Sequence, residues 1–171
     1  MTKVMPAPND KSTLVDEKVK IFLKSLQHVF SDIETWSRSI GLRTKKEKAE
    51  ISEEMAGTYS APILRLIDKQ GKEVAVIRPI GTFIIGASGR FDIEGRLDRE
   101  TVVLLGQGGP VFETSVSSSK GAILEKKSAP MFRGVDKEGW YWIESRKPGR
   151  ARLFDKELFG DLVNGVSDYE A

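Results

Sequence analysis

The sequence contains no cysteine, and His28 is its only histidine. The absence of cysteine excludes disulfides, thiolate zinc sites, iron–sulfur clusters and a cysteine nucleophile. A single histidine excludes every site that needs two imidazole groups. Because most common catalytic and metal-binding arrangements are removed in this way, we expect no catalytic residues, no metal and no cofactor.

Long apolar runs and an excess of charge of one sign are also missing. No stretch approaches the roughly 18 apolar residues of a membrane span, and residues 1–12 lack the apolar centre of a signal peptide. The 27 basic and 25 acidic residues leave a formal net charge of +2, which identifies no partner. We therefore expect a cytoplasmic protein with no membrane association and a disordered tail over residues 1–12.

Residues 13–40 predict a long amphipathic helix. Leu23 and Phe30 widen its apolar stripe, which favours packing on the protein's own sheet, whereas the unbroken seam favours a coiled coil or capture of a partner helix. Phe22 and Trp36 are bulky for a tight two-stranded coil but suit an interface anchor. We predict that the stripe binds a protein partner or a second copy. Its main residues recur at alternating spacings of four and three, as an unbroken heptad seam: Val15, Val19, Phe22, Leu26, Val29, Ile33, Trp36 and Ile40.

Residues 44–56 are rich in lysine and glutamate. Thr44 and Glu47 have the spacing of a helix capping box, and Gly57 is placed to end a helix. The pattern predicts a short, exposed, charged helix, so that residues 13–57 would form one helical segment.

Residues 58–166 predict a β-rich domain. Short runs of β-branched and aromatic residues alternate with glycine and polar turns, and such short connections favour antiparallel pairing. We expect a meander of about seven strands, as a curved sheet or partly open barrel, then a short helix over 156–163 capped by Asp155 and a frayed acidic tail over 167–171. The fold class is thus α+β. The candidate strands are 63–67, 73–78, 82–85, 90–94, 101–105, 111–116, 122–125, 140–144 and 151–154.

A basic segment follows three aromatic residues near the C-terminus. Residues 120–152 hold nine basic and four acidic residues, a local charge of +5 against −3 elsewhere. Basic residues beside aromatic rings suit nucleic acid, because rings stack on bases. The competing interpretation is a hairpin in which Trp140 and Trp142 pack inward, Tyr141 faces out and the basic turn is only solvated. The side chains that predict anion or nucleic-acid binding are Arg146, Lys147, Arg150, Arg152 and Tyr141.

Three hypotheses for function follow. The leading one is a non-catalytic interaction module, such as an accessory, adaptor or inhibitor-type subunit, that uses the helix seam and the β-domain surface. The alternative is nucleic-acid binding through residues 120–152. The third is a small carboxylate-dependent enzyme that uses Asp92 and Glu94, which lie on one face of a strand; surface ion pairing with nearby arginines is the competing interpretation.

Overall fold

A computed structural model describes residues 9–144 and 146–170. Its elements confirm the predicted α+β class, with an N-terminal helix, an antiparallel sheet and a C-terminal helix. The helices are α1 (Asn9–Ser39) and α2 (Lys156–Val166). The strands are β1 (Arg43–Glu53), β2 (Gly57–Ile67), β3 (Glu73–Gly81), β4 (Gly89–Gly95), β5 (Arg99–Leu105), β6 (Val111–Ser117), β7 (Ile123–Pro130), β8 (Gly139–Ile143) and β9 (Ala151–Leu153).

The predicted long helix is confirmed and begins earlier than expected. Residues 9–12, which were assigned to a disordered tail, already belong to α1. The rest of that predicted tail, residues 1–8, lies outside the described residues. Gly41 follows α1 with a φ of +82°, a left-handed conformation that is typical of a helix C-terminus and that favours glycine.

The predicted charged helix over residues 44–56 is wrong, because this segment is the edge strand β1. All eleven residues of β1 pair with β2, from Arg43 opposite Ile67 to Glu53 opposite Gly57. Lysine and glutamate are common on edge strands, where their charges discourage pairing with other chains. Glu47, which was expected to cap a helix, instead accepts a hydrogen bond from Arg65 of β2 at 2.9 Å.

Seven strands form one antiparallel sheet in the order β1-β2-β3-β4-β5-β8-β9. This confirms the predicted meander, and its separate β1 and β9 edges make it a curved sheet and not a closed barrel. Strands β6 and β7 pair with each other as a two-stranded ribbon, while β8 takes the place beside β5. Residues 82–85 do not form the predicted strand; they contribute only an isolated bridge between Ile84 and Ala87.

The main hydrophobic core lies between one face of the sheet and the two helices. Phe91 of β4 lies within an aromatic cluster that joins α1, the sheet and the segment before α2. Two glycines of β4 allow the helices to approach closely. A Cβ atom on Gly95 would lie 2.0 Å from the carbonyl oxygen of Val166, and one on Gly89 would lie 2.5 Å from the Phe22 ring. A smaller cluster covers the opposite face of the sheet at β5, β8 and β9.

The C-terminal helix is confirmed, with Asp155 accepting a hydrogen bond from the Leu158 N–H at 2.9 Å. The prediction of a frayed tail after it is wrong for residues 167–170. Ser167 is buried, Asp168 forms ion pairs on the surface, and the Tyr169 hydroxyl donates to the carbonyl oxygen of Ile40. This segment therefore joins the end of α2 to the end of α1. Ala171 lies outside the described residues.

Candidate interaction surfaces

The heptad seam of α1 packs on the protein's own sheet over most of its length. Phe22, Leu26, Val29 and Ile33 are between 0% and 5% exposed and belong to the main core, and Trp36 and Ile40 pack against it. Because folding already uses these side chains, the prediction that the whole seam is a partner-binding surface must be corrected. Val15 and Val19, near the N-terminal end, are the only two seam positions that stay half-exposed outside this core.

The predicted basic surface is present, but its aromatic partner is not. Arg146, Lys147, Arg150 and Arg152 are all exposed. Tyr141 is only 1% exposed, and its hydroxyl donates to the carbonyl oxygen of Lys137 at 2.8 Å. The expectation that Tyr141 faces solvent is wrong, because the chain around Phe132 and Val135 covers this face of the sheet.

Trp140 and Trp142 lie on the helix-facing side of the sheet, as their alternation predicted. Trp140 belongs to the main core, and the Trp142 ring N–H donates to Glu100 at 2.7 Å. Next to Trp142 is a cleft of about 330 Å³. Arg146 and Arg152 reach it, together with four carboxylates: Asp98, Glu100, Glu144 and Asp161. These carboxylates offset the positive charge of the two arginines and weaken the potential that would attract phosphate groups.

The Asp92 and Glu94 pair lies within a network of arginines. Asp92 is fully buried and accepts two hydrogen bonds from Arg90, at 2.8 and 2.9 Å. This interaction raises the pKa of the Arg90 guanidinium. Glu94 accepts a hydrogen bond from Arg78 at 3.1 Å. Both carboxylates are therefore engaged by cations, as expected of the ion-pairing alternative.

Two further properties concern only the part of the chain that the structure describes. Within residues 9–144 and 146–170, no three histidine, aspartate or glutamate side chains are grouped so that they could hold a metal ion. Over the same residues, neither helix has an apolar stretch long enough to cross a membrane.

The most exposed apolar surface was not predicted as a site. It is the ribbon of β6 and β7, residues 111–130, which we call the arm. Every residue of both strands is exposed. Its five large apolar side chains are 54–68% exposed: Val111, Phe112, Val116, Ile123 and Leu124.

The arm is held together by its own backbone ladder and by surface ion pairs. Lys126 lies 3.4 Å from Glu113, and Lys127 lies 3.1 Å from Glu125. Such exposed pairs contribute little stability, and a two-stranded hairpin by itself is marginally stable in water. The arm therefore combines a weakly supported structure with an apolar surface. The sequence predicted strands in this region but not that they would lie outside the main sheet. The one indication was that β6 lacks the continuous apolar face of a strand that packs on a core.

Comparison with known proteins gives no functional information. No family model matches the chain, and neither curated proteins nor solved structures gave a match.

Proposed function

We propose that this protein is a non-catalytic, cytoplasmic interaction module that binds a protein partner through the arm. The observation that carries this proposal is the exposure of five large apolar side chains on a ribbon outside the core. Groups of exposed apolar side chains are typical of interaction sites, whereas single exposed apolar residues are common and need no explanation. On the arm, Phe112 and Val116 share one face of the ribbon, and Val111 lies on the other. The absence of cysteine suits a reducing compartment.

The backbone of the arm supports the same function. Within the described residues, β6 and β7 hydrogen-bond only to each other as strands, so each has an outer edge of unpaired N–H and C=O groups. An extended segment of another protein chain can bind such an edge by adding a strand. Its main-chain groups would pair with the edge, and alternate apolar side chains would cover Phe112 or Ile123. Strand addition would also provide the support that the isolated ribbon lacks.

Nucleic-acid binding is retained as a second candidate because four basic side chains are exposed close together in the chain. Burial of Tyr141 and the carboxylates beside Trp142 count against it. If this candidate is correct, binding weakens steeply with salt, and charge reversal at Arg146, Lys147, Arg150 and Arg152 abolishes it. Failure to bind DNA or RNA at low salt would remove it.

The main proposal is tested by affinity capture from a nuclease-treated cytosolic extract. Three immobilised proteins are compared: the unchanged chain, a Phe112→Ser/Leu124→Ser double variant, and a Leu97→Ser control. Leu97 is also an exposed apolar residue, but it lies in the turn between β4 and β5.

We expect the unchanged chain and the Leu97→Ser control to retain the same proteins and the double variant to lose them. All three should unfold at similar temperatures, because exposed positions change stability by only about 0.5 kcal/mol. Retention that is identical with and without the arm substitutions would overturn the proposal.

A further inference from the structure

The direction of the backbone groups along β6 follows from one hydrogen bond at the base of the arm. Met131 donates its N–H to the carbonyl oxygen of Pro110 at 2.8 Å, so these residues flank the pair Val111 and Pro130. That pair is therefore a non-hydrogen-bonded pair of the antiparallel ladder, which agrees with the missing N–H of proline. Bonded and non-bonded pairs alternate from this point along the strand.

The alternation determines which residues of β6 can bond to another strand. Phe112, Thr114 and Val116 lie at bonded positions opposite β7, so their N–H and C=O groups are used within the arm. The N–H and C=O groups of Glu113 and Ser115 point to the free outer edge. A strand added at this edge must therefore form its backbone hydrogen bonds with Glu113, Ser115 and the alternate residues on either side of them.

This edge of β6 is complementary to itself. If two copies of β6 pair antiparallel about Thr114, Phe112 of each copy lies opposite Val116 of the other, and Glu113 lies opposite Ser115. The outward groups of Glu113 and Ser115 then bond to each other, as the alternation requires. Phe112 and Val116 form non-bonded pairs, in which the side chains are closest, and an aromatic residue opposite a β-branched one stabilises a sheet.

The other edges lack this property. If two copies of β7 pair antiparallel with their outward N–H and C=O groups bonded to each other, one residue of β7 must lie opposite the same residue of the other copy. Near the middle of β7, that residue is Glu125, Lys126 or Lys127. Like charges in that position destabilise a sheet. The outer edge of the main sheet, β1, is rich in lysine and glutamate, which discourage edge pairing, and β9 at the other edge has only three residues.

We propose that the arm binds a second copy of this chain, through antiparallel pairing of the two β6 edges about Thr114. This inference rests on the proposed function and specifies its partner. The product is a four-stranded ribbon in the order β7-β6-β6-β7, with seven residues of each β6 paired. A seven-residue strand pair is a small interface, so the dimer is weak and forms in roughly the micromolar range.

Sedimentation velocity of the purified full chain over a range of concentrations tests the proposal. We expect a dimer fraction that rises with concentration. Ser115→Pro removes an outward N–H from β6 and should weaken the dimer by at least about tenfold. Lys126→Pro is the matched control, because Lys126 lies opposite Ser115 and its N–H points to the outer edge of β7. This control should dimerise like the unchanged chain.

The register is tested separately by charge complementation. Phe112→Glu and Val116→Lys should each weaken the dimer when studied alone, because each replaces an apolar cross-strand pair. An equimolar mixture of these two variants should recover dimer, since the introduced carboxylate and ammonium groups lie opposite each other in the mixed dimer. A mixture that stays monomeric at concentrations where the unchanged chain dimerises would contradict the register.

The outcomes separate the two proposals. A monomeric chain at all concentrations, or a dimer weakened equally by both proline substitutions, overturns self-association through β6. If arm-dependent capture of other proteins persists in that case, the proposed function stands without self-association. If capture is also independent of the arm, both proposals fail.

Discussion

Phe91 provides the sharpest test of how the fold is stabilised. It is fully buried in β4, and its ring centroid lies 4.9 Å from that of Trp140, 5.6 Å from that of Phe154 and 5.9 Å from that of Phe30. These contacts join the sheet to α1 and to the segment that precedes α2. Substitution Phe91→Ala therefore removes the centre of the aromatic cluster and leaves a cavity.

The expected cost follows from burial and from the ring contacts. A buried Phe→Ala substitution costs about 3–5 kcal/mol, and each aromatic pair contributes about 0.5–1.5 kcal/mol beyond area. Three such pairs place Phe91→Ala near the upper end, at about 4–5 kcal/mol. For a chain of this size, that lowers the thermal midpoint by roughly 10–18 °C.

Urea and thermal unfolding, monitored by circular dichroism at low protein concentration, measure this loss. Phe112→Ala is the matched control, because Phe112 is the same residue type on the exposed arm. Its free energy of unfolding should change by less than about 0.5 kcal/mol. Equal losses for the two variants, or a loss below about 1 kcal/mol for Phe91→Ala, would refute the assignment of the core.

Three further predictions concern close packing, a buried ion pair and pH. Gly95→Ala places a methyl group against the Val166 carbonyl and should lower the free energy of unfolding by about 1–3 kcal/mol in urea titrations. Asp92→Asn removes the charge that Arg90 binds and should cost about 2–3 kcal/mol in the same assay. Burial and a hydrogen bond to a carboxylate raise the pKa of Tyr59; its contribution to stability is complete below the unfolded pKa of about 10 and is lost as pH rises further.

Each of these has a control. Gly160→Ala lies in α2 with open space around the added methyl group, and it should stabilise the fold by about 0.4–1 kcal/mol. For the ion pair, exposed Glu113→Gln in the arm should change stability by less than about 0.5 kcal/mol. Tyr59→Phe should remove the loss of stability measured as pH rises above about 10; an unchanged loss would show that Tyr59 does not cause it.

The parts of the fold that the sequence predicted are those where local pattern and packing agree. The seam of α1 repeats at helical spacing because one face of the helix packs on the sheet. Asp155 precedes an apolar stretch and caps α2 as expected. The α1 seam is one continuous helix face, and the Asp155 cap is a contact within a few residues. Both patterns can be recognised in a single sequence.

The parts that were missed depend on contacts distant in the chain. Residues 44–56 have the composition and capping pattern of a helix, but their backbone groups pair with β2 over eleven residues, and that pairing outweighs local propensity. Tyr141 was expected to face solvent because alternation along a strand predicts that it lies on the face opposite Trp140 and Trp142. Alternation does not predict whether another part of the chain covers that face. Residues near Phe132 and Val135 cover it, and their position depends on where β8 enters the sheet.

The position of the arm links the fold to the proposed function. β8 pairs directly with β5, so the seven-stranded sheet is complete without residues 111–130. The arm adds no residue to either hydrophobic cluster, and ordering its backbone costs conformational entropy that weak surface ion pairs do not offset. Stability therefore does not explain a ribbon with five exposed apolar side chains. The proposed binding would explain it, because a partner strand on β6 would bury Phe112 and Val116 and pair the backbone groups that the fold leaves free.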